Sequence, residues 1–321
     1  MSQSAPEQQP VFDPYSDASV VLPQIDSLLP VRLDQQISGP LSGDYQARYK
    51  GSGLERDGVR QYVSGDDPRN IDWKATARTF DGDLLVRERF KEITPQVWLV
   101  SDLARDRYTK NPGYFTEQSL GFSALLAMGA LAERQNMPTG LLVANDMRII
   151  GTKIPASGIR NRVRHVEMIK TAVQEHDSQG STKLSDVLQI AAKRCVGSLV
   201  IVVSDFRDDS VSTEEASWAL PLRQIASKNQ VIAIETTNAW DFKLNEHIGR
   251  YKSGDNKFNV LTGKKGSDLR ERYADAANHQ QRYIDATISS IRAPHLTLST
   301  ARPDWATSLQ EQLFVATRSV K

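Results

Sequence analysis

From Pro95 to the C-terminus, short apolar runs of strand length alternate with amphipathic stretches of helix length. This rhythm limits the fold more than any other feature of the chain. Val97–Val100, Thr139–Ala144, Ser198–Val203 and Val231–Thr236 are nearly unbroken apolar runs, as expected of strands covered on both faces. Between them the spacing predicts helices over Thr116–Gln135, Ile159–Gln174, Leu184–Arg194 and Glu214–Ser227. Each carries an apolar stripe, such as Val163, Val166, Ile169 and Val173 in the second. Buried strands joined by helices require right-handed crossovers. The implied class is therefore α/β, a three-layer, doubly wound, mostly parallel sheet. Asn145-Asp146 predicts a turn into a weaker edge strand, Met147–Ile150. Phe258–Thr262 reads as the last strand of the sheet and Leu269–Arg292 as one long helix. Leu296–Ser299 reads as a short extended piece, and Ser308–Thr317 as a closing helix.

Two of the buried strands end alike, in Ser101-Asp102 and in Ser204-Asp205. In an open α/β sheet the crevice beyond the carboxyl ends of the strands is the usual place for a site. Asp102, Asp106 and Asp205 would bring carboxylates there, and Thr182 a hydroxyl. An oxygen-rich set of this kind suits Mg²⁺, Ca²⁺ or Mn²⁺, and such carboxylates repel one another without a cation or basic partner. The competing reading is that Asp102 and Asp205 accept from backbone amides at helix starts, with Arg105 or Arg107 balancing the charge.

Residues 1–40 form a polar, acidic N-terminal segment, with Glu7, Asp13, Asp17, Asp26 and Asp34 against Arg32. Its first half has the composition of a flexible tail. Residues 41–94 are glycine- and arginine-rich and β-prone. Val59, Gln61 and Val63 suggest one short strand, and Leu84 and Val86 another. Gly65-Asp66-Asp67-Pro68 reads as a turn, and Asp72 can cap a short helix running to Thr79. This region has too little apolar content to fold alone and reads as a β-rich appendage to the domain at 95–321.

Forty basic residues oppose 39 acidic ones, which argues against a nucleic-acid or other polyanion partner. No run of apolar residues is long enough to span a bilayer, and the N-terminus lacks the make-up of a signal peptide. Cytoplasmic placement is expected, with any attachment to a membrane made through partners. The single cysteine, Cys195, sits among Ala191, Ala192 and Val196 and reads as a buried filler. His165, His176, His247, His279 and His295 read as surface or capping residues. Motifs for nucleophilic hydrolysis, nucleotide phosphates and zinc proteases are absent from the sequence.

One stretch carries a likeness. Gly51-Ser52-Gly53-Leu54-Glu55, then Arg60-Gln61-Tyr62, then Gly65 through Arg78 (GDDPRNIDWKATAR) closely resembles the signature of the DUF58 family. The resemblance implies that a von Willebrand factor A-like domain follows. In the metal-binding form of such domains the first strand ends Asp-x-Ser-x-Ser, a later loop offers threonine and a later strand offers aspartate. Carried over, these positions are Asp102, Ala104, Asp106, Thr182 and Asp205. Ala104 cannot ligate through its side chain, so the resemblance implies a degenerate metal-ion-dependent adhesion-type site, with Mg²⁺ as its ion.

The family is generally encoded beside MoxR-type AAA+ ATPases. The resemblance therefore implies a non-enzymatic adaptor that helps such an ATPase assemble or activate another protein complex. Two further readings stand beside it: a Mg²⁺-dependent hydrolase or nuclease using the rim carboxylates, and a purely structural scaffold. For the signature residues Glu55, Arg60, Tyr62, Asp66, Asp67, Arg69, Asp72, Trp73 and Arg78 there are also two readings. Arginine–carboxylate bonds could fasten the appendage while Trp73 wedges into the main domain. Alternatively, part of the set is exposed and binds the ATPase or its client, with Trp73 or Tyr62 as anchors.

Overall fold

A computed structural model of the chain describes residues 57–64, 66–79, 83–89, 96–102, 115–145, 147–175, 182–207, 215–238, 250–253, 256–259 and 264–318. The chain divides into two compact units, a small one at Ile37–Thr94 and a large one built on Pro95–Lys321.

In the small unit, β1 (Asp57–Gln61) and β2 (Leu85–Arg89) pair antiparallel, with Gln61 opposite Leu85. The connection is held by side chains bonding their own backbone. Asp67 accepts from the Arg69 amide at the head of a single 3₁₀ turn, Pro68–Asn70. Asp72 accepts from the amides of Lys74 and Ala75 and caps α1 (Trp73–Thr76). Aspartate suits these sites because its short carboxylate reaches the unpaired amides of a helix start.

The large unit is an α/β sandwich around a six-stranded sheet. Its strands are β3 (Val97–Ser101), β4 (Thr139–Ala144), β5 (Ile149–Gly151), β6 (Leu199–Ser204), β7 (Gln230–Thr237) and β10 (His295–Ser299). The spatial order is β10-β7-β6-β3-β4-β5, parallel throughout except for β5. The helices are α2 (Glu117–Arg134), α3 (Ile159–Gln174), α4 (Leu184–Arg194), α5 (Ala219–Ala226), α6 (Lys264–Ser290) and α7 (Trp305–Arg318). One face of the sheet packs on α4, α5 and α6. Trp98, Val100, Val200, Val202 and Ala233 meet Leu188, Leu222, Ile284 and Ile288 there. The α2, α3 and α7 helices pack on strands and on one another elsewhere in the unit. Leu99, Leu141, Leu199 and Ile201 are fully or almost fully buried. That double coverage is why these strands read as continuous apolar runs.

Asn145 does more than turn the chain. Its Oδ1 accepts from the amides of Met147 and Arg148, and its Nδ2 donates to the carbonyls of Ala172 and Glu175. The β4–β5 turn is thereby tied to the end of α3.

Two expectations are corrected. Phe258 and Asn259, the described part of the 258–262 stretch, do not belong to the last strand of the sheet. Asn256–Asn259 is β9, and it pairs with β8 (Arg250–Ser253) as a separate antiparallel ribbon. The sixth strand is β10, whose alternation of buried Leu296 and Leu298 with more exposed neighbours marks an edge position. Its outer backbone is met by Gln312 of α7, which accepts from the Thr297 amide and donates to the Thr297 carbonyl. The helix foreseen from Glu214 begins only at Ala219. Pro221 belongs in a first turn, where no amide is needed, and the Ala216 amide is engaged by the Tyr283 hydroxyl. Within the small unit, Trp73 is 66% exposed.

Candidate functional site

The chain leaves β3 in one direction, to β4 and β5, then crosses back to build β6, β7 and β10 on the other side. The order reverses between β3 and β6, so the crevice of this sheet lies beyond those two strands. Asp102 follows β3 and Asp205 follows β6. Ser101 is paired with Val203, which sets Asp102 level with Ser204 and one residue short of Asp205. Both carboxylates are buried, at 3% and 4% exposure. Thr182 comes just before α4, whose cap residue Lys183 donates its amide to Asp186. Because α4 leads into β6, it runs antiparallel to that strand and starts at the same rim. Of the four rim residues singled out from the sequence, three lie on segments that reach this crevice. Asp106 lies outside the described residues.

The backbone at the rim is strained. Phe206, directly after Asp205, has φ 51°, in the left-handed region that a bulky side chain rarely occupies. Three contacts hold it there. Its amide donates to Ser204 Oγ, and the Arg207 amide donates to Asp205 Oδ1. Its ring packs edge-on against Trp218 at 5.3 Å, and Trp218 meets Tyr283 at 6.3 Å. Held strain next to a buried carboxylate is a common feature of functional sites.

The small unit divides the signature residues into two groups. Arg60 forms a two-pronged pair with Asp66, at 2.7 and 2.6 Å, while Asp66 also accepts from the Val63 amide. Asp67 and Asp72 serve as caps, and Tyr62 is half-buried beside Leu84, whose carbonyl accepts its amide. These residues build the unit. Arg69, Trp73, Lys74 and Arg78 are exposed. Glu55 lies outside the described residues.

A second cluster was not foreseen. Glu235 of β7, Asp285 of α6 and His295 of β10 present ligand atoms within 4.8 Å of one another and could hold a metal ion. The register places Thr297, not His295, opposite Glu235, so the imidazole reaches the carboxylate diagonally along the same face. The expectation that His295 is a surface or capping residue is corrected. His165 is corrected too, since it is buried on α3. Its pKa is lowered to about 4 by loss of hydration and, secondarily, by the Arg164 charge. The one signal available in the sequence was Glu235 itself, an acid directly after the apolar run Val231–Ile234. Cys195 is buried as expected, and burial pushes its thiol up to about 12, so it is not a nucleophile. Among the described residues no helix is long and apolar enough to cross a membrane.

The sheet order, the covering helices and the rim at its switch point define a von Willebrand factor A-like α/β domain, accompanied by a small β unit. Residues 58–283 match the family model described as "Protein of unknown function DUF58", and the chain belongs to that family. It is also 28% identical over 294 residues to uncharacterized protein Rv1480 of Mycobacterium tuberculosis and to uncharacterized protein Mb1516 of Mycobacterium bovis. Each match covers 90% of this chain and 87% of the relative.

Proposed function

We propose that the chain is a non-enzymatic adaptor, binding a MoxR-type AAA+ ATPase and a client complex that the ATPase assembles or activates. The observation that carries this reading is Trp73. An indole left 66% exposed has no packing role in proportion to its size. It stands on a helix of four residues, with exposed Lys74 next to it and exposed Arg69 and Arg78 within five residues. Tryptophan and arginine are the residues most often responsible for binding energy at protein interfaces. The aspartates of the same signature hold the backbone that presents them. The rim at Asp102, Thr182 and Asp205 offers a second binding surface, at the place where this fold class recognises ligands.

A hydrolase or nuclease reading needs a base and ligands arranged around a reacting atom. Of the carboxylates near the rim, Asp186 holds the Lys183 amide and Glu117 accepts from the Asn238 side chain, and burial pushes the cysteine thiol up, out of the range of a nucleophile. The test is capture from an extract of the native cells with the purified chain as bait. Wild type, Trp73→Ala, Arg69→Ala and Asp102→Ala are compared, and the bound proteins are identified by mass spectrometry. An AAA+ ATPase recovered by wild type and lost with Trp73→Ala supports the adaptor. Mg²⁺-dependent turnover abolished by Asp205→Ala would replace it with the enzyme.

A further inference from the structure

We infer that Glu235, His295 and Asp285 form a transition-metal site, best suited to Zn²⁺, that fastens α6 to the edge of the sheet. The inference is independent of any partner and of the rim at Asp102 and Asp205.

Glu235 is fully buried, between Ile234 and Thr236 along the strand and between Ser204 and Thr297 across it. A carboxylate there requires a compensating charge or a full set of donors. Donors are short. Gln281 Nε2 donates to Oε2 at 2.9 Å, while Oε1 accepts no hydrogen bond. His295 Nε2 approaches Oε2 to 2.9 Å, yet the contact lacks the alignment of a hydrogen bond. A ring nitrogen and a carboxylate oxygen this close, with no hydrogen bond between them, fit two ligands of one ion. Metal–nitrogen and metal–oxygen bonds to Zn²⁺ are about 2.0–2.2 Å, so a widening of only a few tenths of an ångström gives the tetrahedral separation.

The remaining ligands come from α6. Gln281 and Asp285 lie one turn apart, on the same side as Ile284 and Ile288, which pack in the core with Ala233. Asp285 Oδ1 is 3.3 Å from Gln281 Nε2 and 3.3 Å from His295 Nδ1, the ring nitrogen other than the one facing Glu235, and one ligand atom from each of Glu235, Asp285 and His295 falls within 4.8 Å of the others. Gln281 Oε1 accepts no hydrogen bond, so turning the amide over would present an oxygen in place of the Nε2 donor. The set is then imidazole nitrogen, two carboxylates and an amide oxygen or water. One nitrogen among oxygens favours Zn²⁺ over Mg²⁺, which takes oxygen almost exclusively. Asp285 is 53% exposed and opens the site to solvent, which gives the ion a way in. Bound there, the ion neutralises Glu235 and links β7, β10 and α6.

The test uses untagged, chelator-stripped full chain. Zn²⁺ and Mg²⁺ are titrated calorimetrically, and Co²⁺ is followed by visible absorption. One Zn²⁺ per chain is expected, with an intense four-coordinate Co²⁺ spectrum and no matching Mg²⁺ binding. His295→Ala and Glu235→Gln should weaken Zn²⁺ binding at least 100-fold and Asp285→Asn about tenfold, while Asp102→Asn leaves it unchanged. Zn²⁺ should also slow amide hydrogen exchange around residues 281–285. Circular dichroism checks each fold. If Glu235→Gln does not fold, His295→Ala and Asp285→Asn decide. No Zn²⁺ binding by wild type would overturn the proposal, leaving His295 as a plain counter-charge to the two acids. Binding that survives both His295→Ala and Asp285→Asn, or is lost only with Asp102→Asn, would overturn it equally.

Discussion

Protonation of His165 should make this fold acid-sensitive in a window set by one side chain. The residue lies on α3 and lines a small pocket together with Leu99, Gly129 and Asn161. Burial, and then the Arg164 charge, lower its pKa from 6.5 to about 4. The folded state therefore binds fewer protons than the unfolded chain between those values. Stability from the neutral ring is complete above pH 6.5 and drains away as the pH falls toward 4. Below 4 both states are protonated and the loss stops. From pH 7.5 to 5.5 the linkage relation gives a loss of about 1.4 kcal/mol. Ordinary carboxylates barely titrate in that interval, so the assay is urea unfolding at both values for wild type and His165→Gln. The wild-type difference should exceed the variant's by about 1.4 kcal/mol, because glutamine keeps a polar tip but cannot take a proton. An NMR titration should show the His165 ring unprotonated at pH 5.5. Equal pH dependence in the two proteins, or a ring that titrates near 6.5, would refute the reasoning.

Other consequences are more local. In Gly140→Ala the new methyl would lie 2.7 Å from the buried Trp98 ring, so overpacking of about 1–3 kcal/mol is expected in chemical denaturation. Asn145→Ala strips the Ala172 and Glu175 carbonyls and two amides of their partner, and should cost about 2–3 kcal/mol, with faster amide exchange at 147–151. Trp73→Ala should leave the unfolding midpoint of the protein unchanged, since the ring it removes is mostly in water.

The sheet was legible because burial on both faces prints directly onto sequence. Val97–Ser101 and Leu199–Ser204 have no exposed position at all. Edge elements were less so. The β10 strand is half wet, and the Phe258 region looked as apolar as a strand of the sheet while pairing only with its own hairpin partner. Asp102 and Asp205 stood out because each directly follows a buried strand, while the adjacency of β3 and β6 comes from the strand order of the sheet. The Glu235–Asp285–His295 cluster could not. Its members come from three elements, and only register and helix packing bring them together. Trp73 was ambiguous for a related reason: a tryptophan in a short, capped helix packs or projects according to what lies behind it, which local sequence does not record.

A binding measurement between purified components tests the adaptor role most directly. The AAA+ ATPase recovered from cells is mixed with the chain in the presence of ATP and examined by size-exclusion chromatography with light scattering. Co-elution with the ATPase hexamer, abolished by Trp73→Ala and unaffected by Gly140→Ala at a temperature where that variant is folded, is the predicted result. Separate elution of the wild-type chain at every nucleotide condition would contradict it.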